Sequence, residues 1–158
     1  MISHRIASLL LKKGLTLSVA ESCTGGLICH KFTTIPGISA SLKEGIVCYS
    51  NTSKIKRLGI PHKIIEKYGA VSSQVCRLMA KNIVKSEQSD LGLAVTGIAG
   101  PSGNTDTKPI GVVYIGIYYK SILLVKKYNF HGKRAFIQEK SANEALRLLE
   151  QVIKRYAV

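Results

Sequence analysis

The stretch VAESCTGG, residues 19–26, ends an apolar run in a carboxylate, a serine, a thiol, a threonine and two glycines. Ser22 is of a type that attacks carbonyl carbon, and amide groups near Cys23 and Thr24 at the opening of a helix could hold the resulting oxyanion. Gly25 and Gly26 lack side chains and would let a ligand approach the backbone. Cys23 competes with Ser22, because a thiol at a helix N-terminus is more readily ionised. The same residues also fit an ordinary N-cap with close helix–strand packing. The pattern is not a G-x-S-x-G elbow, and no histidine or acid is placed to complete a familiar triad.

A serine needs a base, and CYSNTSK, residues 48–54, offers Tyr49 and Lys54 at a second strand end. A lysine at its reference pKa of about 10.4 is neutral in only about one molecule in a few thousand at pH 7. Lys54 therefore requires desolvation or neighbouring positive charge to serve as a base. Ser50 is a further hydroxyl, expected to point away from Tyr49 if 44–50 is a strand. A third segment, TGIAGPSG at 96–103, is a glycine-rich turn able to present amides to phosphate, although it matches neither the P-loop nor the dinucleotide-binding pattern.

These segments must be carried by a framework. Residues 3–13 read as an amphipathic helix with Ser3 as N-cap and Gly14 as its stop. Strands are expected at 15–20, at 44–50 with both faces covered, and at 90–96. A hairpin is expected over 110–119 and 122–130. Helices are expected from about Thr24 to Thr33, from Asn51 or Thr52 to Gly59, from Pro61 to Gly69, from Ser72 to about Ser86, and over 134–156. Early alternation followed by a hairpin predicts a single three-layer α/β/α domain with a mixed sheet of about five strands.

Bulk properties agree with one domain. The chain has 158 residues, 46% of them hydrophobic, and no apolar run approaches a membrane span. The basic residues of MISHRIASLLLKKG flank a short apolar stretch, which is not the order of a signal peptide and predicts a cytoplasmic protein with no membrane partner. Cys23, Cys29, Cys48 and Cys76 form no C-x-x-C pair, and His4, His30, His62 and His131 are scattered, so neither a metal nor a redox centre is expected. The net charge of +14 suits an anionic partner, either a phosphate-bearing small molecule or nucleic acid.

AESCTGG (20–26), PGIS (36–39), YSNTSK (49–54), GAVS (69–72), TGIAGP (96–101) and KPIG (108–111) occur in one order along the chain. In that order they resemble the CinA C-terminal domain family over nearly the whole chain, from about residue 5 to 155. The resemblance implies one such domain over 1–158, without the N-terminal domain of longer members. It implies a nicotinamide-nucleotide amidase of NAD salvage, converting nicotinamide mononucleotide and water to nicotinate mononucleotide and ammonia, with no cofactor and no metal. Carried over by motif, the catalytic set is Ser22, Lys54 and Tyr49, with Ser22 as nucleophile, Lys54 as base and Tyr49 relaying the proton or holding the geometry. Cys23, Thr24, Gly25, Gly26, Ser39, Asn51, Thr96, Gly97, Gly100 and Arg134 become candidate substrate-binding residues.

The sequence departs from the family pattern at Tyr68, where histidine is frequent, at Ser73, where an acid is frequent, and at Gln138, where a second arginine is common. These changes bear on substrate preference more than on reaction type. Two other readings stand beside the amidase: an amidase for another small amide, and a non-catalytic nucleotide- or nucleic-acid-binding domain. Nucleic acid is disfavoured by the absence of an RNA-binding signature and by an aromatic content of 6%. The amphipathic first helix and ILLV (122–125) are compatible with a homo-oligomer.

Overall fold

The computed structural model describes residues 1–157. Helix α1 (Ile2–Lys13) buries Ser3, Ile6, Ala7 and Leu10 along one face and stops at Gly14. With Met1 as N-cap, it starts one residue earlier than expected, and Ser3 lies inside it. Strand β1 (Leu17–Glu21) follows, then α2 (Leu27–Thr33) and a short 3-10 turn at Ile38–Ala40. Strand β2 (Leu42–Val47) leads to α3 (Asn51–Leu58), α4 (His62–Tyr68), α5 (Ser73–Asn82) and α6 (Val84–Glu87). Strands β3 (Leu91–Gly97), β4 (Val112–Tyr119) and β5 (Ile122–Asn129) complete the sheet, and α7 (Arg134–Tyr156) closes the chain.

The sheet order is β2-β1-β3-β4-β5. β1 pairs in parallel with β2 and β3, while β3–β4 and β4–β5 are antiparallel. The fold is thus the expected α/β domain with a five-stranded mixed sheet between helices. One face packs on α1, α2 and α7 through Ile6, Leu10, Phe32, Ile137, Leu146 and Leu149. The other packs on α3 to α6 through Leu58, Ile60, Val75, Met79 and Ile83. Gly92 permits the second contact: a Cβ there would lie 2.0 Å from the Ala80 carbonyl oxygen, so α5 rests directly on the β3 backbone.

Two expectations about elements are corrected. β2 ends at Val47 rather than residue 50, and its residues alternate half-buried and exposed. It is an edge strand, so the apolar run there does not mean cover on both faces. The helix expected to run from Ser72 to Ser86 divides at Ile83 into α5 and α6. Among the described residues no helix is long and apolar enough to cross a membrane.

The topology gathers the chemistry at one end. β1, β2 and β3 run in the same direction, so the segments after Glu21, Val47 and Gly97 emerge together, as ligand-binding segments do in open α/β sheets. The two antiparallel steps turn β5 back to that direction, which brings the start of α7 to the same end.

Candidate active site

Ser22 follows β1 and is almost fully buried. Lys54, in the first turn of α3, is 1% exposed. The two meet: Lys54 Nζ lies 3.0 Å from Ser22 Oγ. Lys54 Nζ also donates to the Cys48 carbonyl at 2.7 Å and the Tyr49 carbonyl at 3.2 Å. The peptide between β2 and α3 therefore folds around the amine of the helix it introduces. Burial pushes the Lys54 pKa below the ordinary lysine value of 10.5. The three partners suit both protonation states. A neutral amine spends its two N–H groups on the carbonyls and turns its lone pair to the serine hydroxyl, whereas an ammonium donates to all three.

The nucleophile turn is built differently from the expected helix start. Gly25 and Gly26 both take positive φ, +62° and +97°, so α2 begins at Leu27 rather than near Thr24. Its leading amides are occupied: the buried Glu21 carboxylate accepts from Gly26 N at 3.0 Å, Ile28 N at 3.2 Å and Cys29 N at 2.8 Å. These amides are closed to a substrate anion. The Cys23 and Thr24 amides have no carbonyl or carboxylate partner elsewhere among the described residues.

The competing nucleophiles are displaced. Cys23 is 5% exposed, and burial pushes its thiol up to about 12. The sequence expectation of an activated thiol fails because α2 starts four residues beyond Cys23 and burial outweighs the neighbouring cations. Ser50 caps α3, its Oγ accepting from Ser53 N at 3.0 Å. It takes the capping role expected of Asn51 or Thr52.

Ser22 and Lys54 open into a cavity of about 380 Å³ that Cys23, Tyr49, Asn51, Gly97, Gly100 and Arg134 help to line. Ala70 and Val71 form another wall, and Ile98 to Gly103 of the β3–β4 loop close it. Tyr49 is exposed at the mouth; its hydroxyl accepts from Arg134 Nη2 at 2.9 Å. That hydroxyl makes no hydrogen bond to Ser22 or Lys54; the Tyr49 backbone carbonyl contacts the lysine instead. Arg134 Nη1 also donates to Gly100 O at 2.7 Å, and no carboxylate pairs with it among the described residues.

The side chains of the other sequence candidates do not line this cavity. Thr24 is buried, with Oγ1 unpartnered among the described residues. Gly25 and Gly26 shape the turn, Gly26 against Val47. Thr96 supports the wall by donating to Ala70 O at 3.0 Å. Ser39, on the 3-10 turn, lines a separate depression with Pro36 and Leu42. A larger groove, about 710 Å³, lies between β2 and α5–α6 beside Arg57 and Lys85; it contains neither Ser22 nor Lys54. Sequence reasoning assigned no role to Glu21, although an acid directly before a serine and two glycines is a signal for a capping carboxylate. It singled out Gln138 only as a departure from the family pattern and missed its bond to the Cys23 carbonyl, a partner distant in sequence.

Comparison with solved structures identifies the architecture. The fold superposes on a CinA superfamily protein of Klebsiella pneumoniae with a TM-score of 0.95 at 24% identity, covering 98% of this chain and 97% of that one. It superposes on the competence/damage inducible protein CihA of Agrobacterium tumefaciens with a TM-score of 0.93 at 34% identity, covering 96% and 93%. The model of the CinA C-terminal domain matches residues 1–153, and the chain belongs to that family. A protein of Caldicellulosiruptor bescii provisionally named competence-damage inducible is 45% identical over 156 residues, 99% of this chain and 38% of its own length. A similarly named protein of Clostridium kluyveri is 49% identical over 141 residues, 89% of this chain and 34% of its own. The chain thus spans a little over a third of the length of such curated relatives.

Proposed function

We propose that this domain is a serine–lysine amidohydrolase that converts nicotinamide mononucleotide and water to nicotinate mononucleotide and ammonia. The observation that carries the reading is the buried Lys54 amine 3.0 Å from Ser22 Oγ, its other two contacts being carbonyl oxygens. This is an arrangement suited to giving and taking one proton.

Ser22 Oγ attacks the carboxamide carbon while neutral Lys54 accepts the hydroxyl proton. The oxyanion faces the Cys23 and Thr24 amides. Lys54 returns the proton to the nitrogen as the C–N bond breaks, and ammonia leaves. Water then attacks the acyl-enzyme with Lys54 again as base, releasing the carboxylate and restoring Ser22. The scheme calls for no metal or cofactor. Arg134, a cation without a carboxylate partner among the described residues, suits the substrate phosphate, and the exposed Tyr49 ring suits the flat pyridinium.

The test is a substrate panel in the presence of EDTA. Nicotinamide mononucleotide should yield ammonia and nicotinate mononucleotide in equal amounts, and nicotinamide and simple amides should react far more slowly. Faster hydrolysis of a different amide would retain the chemistry and replace the substrate.

A further inference from the structure

Arg134 and Gln138 stand four residues apart at the start of α7 and so share one helix face. Arg134 reaches the β3–β4 loop and Tyr49, as described above. Gln138 reaches the nucleophile turn: its Nε2 donates to the Cys23 carbonyl at 2.8 Å, joining residues 115 apart in sequence. The acceptor is a carbonyl, so only the amide nitrogen of Gln138 can face it.

The Cys23 carbonyl and the Thr24 N–H belong to one peptide plane and, in a trans peptide, point in opposite directions. Holding the carbonyl fixes the direction of the N–H. A hydrogen bond to the carbonyl also polarises the unit and makes the N–H a stronger donor. Thr24 N has no carbonyl or carboxylate partner among the described residues, and it lies two residues after Ser22.

We propose that Gln138 is a positioning residue that aims the Thr24 amide at the oxyanion formed on attack by Ser22. The inference rests on the reading of Ser22 as the nucleophile. Gln138 thereby acquires a role without contacting substrate: it supplies the needed N–H without adding a positive charge beside Ser22.

The experiment compares wild type with Gln138→Ala, Gln138→Glu and Gln138→Arg, all tolerated in a helix. Gln138→Glu keeps the shape, but its carboxylate cannot donate to a carbonyl. One readout is labelling by a fluorophosphonate, in which the Ser22 Oγ–phosphorus bond forms and fluoride leaves with the hydroxyl proton. Labelling should slow about tenfold in the alanine and glutamate variants and recover to within about threefold in the arginine variant. The second readout is the Thr24 amide 15N resonance, which should move upfield in the first two variants. In turnover of nicotinamide mononucleotide, kcat should fall with KM unchanged.

Wild-type labelling rates with an unmoved Thr24 resonance in Gln138→Ala and Gln138→Glu would overturn the proposal. A raised KM at constant kcat would overturn it as well, making Gln138 a substrate contact. Failure of wild type to label at Ser22 would remove the nucleophile on which it rests. Labelling with the expected pattern but no hydrolysis of nicotinamide mononucleotide would uphold Gln138 and refute only the proposed substrate.

Discussion

At the residue scale, the account turns on the proton of Lys54. Burial lowers its pKa, so its neutral fraction, and with it kcat/KM, should fall on the acid side of a pKa lying below 10.5. Lys54→Arg, charged at every accessible pH, should lose activity by about a thousandfold or more despite keeping the donors. The same shift acts on stability. Between the depressed folded pKa and 10.5 the unfolded chain binds the extra proton, so Lys54 makes stability rise with pH across that window. Urea unfolding of wild type and Lys54→Met across that pH range should show the difference. Cys23, pushed up to about 12, is ionised in about one molecule in 10⁴ at pH 8. Cys23→Ala should keep most of the activity, and iodoacetamide should not inactivate the protein through this thiol.

At the element scale, the turn holding Ser22 is secured by Glu21. Glu21→Ala would strip three amide donors of their buried acceptor. The expected loss is about 3 kcal/mol or more, read as a lower urea midpoint. Gly92→Ala would drive a methyl group into the Ala80 carbonyl and separate α5 from β3, with an expected loss of about 1–3 kcal/mol. Most elements were legible because their periodicity and stop signals are local: Gly14, Gly59, Gly69 and the cap Ser72 end or begin helices where expected. The errors arose where tertiary context decides. The run at 44–50 is apolar in composition, yet only strand order reveals that β2 is an edge. The start of α2 shifted because Glu21, not a residue within the turn, supplies the cap. Ser22 and Lys54 were legible through motif resemblance, but their contact, the Arg134–Tyr49 bond and the Gln138 bond depend on the parallel strands and the returning hairpin.

At the scale of the whole molecule, a mixed sheet brings three parallel strand ends and one helix start to a single mouth. Around it lies a chain of net charge +14. Such a field concentrates anions near the protein and is screened by salt. KM for nicotinamide mononucleotide should therefore rise roughly twofold or more as ionic strength increases from 0.05 to 0.5 M, with kcat little changed. A salt-independent KM would mean that neither the overall charge nor Arg134 acts on the substrate phosphate.

The central claim is that Ser22 forms the acyl bond. It is tested most directly by ammonia release from saturating nicotinamide mononucleotide, measured for wild type beside a folded Ser22→Ala variant. The account predicts turnover by wild type and a loss of about a thousandfold or more in the variant. Equal ammonia release by both proteins would contradict it.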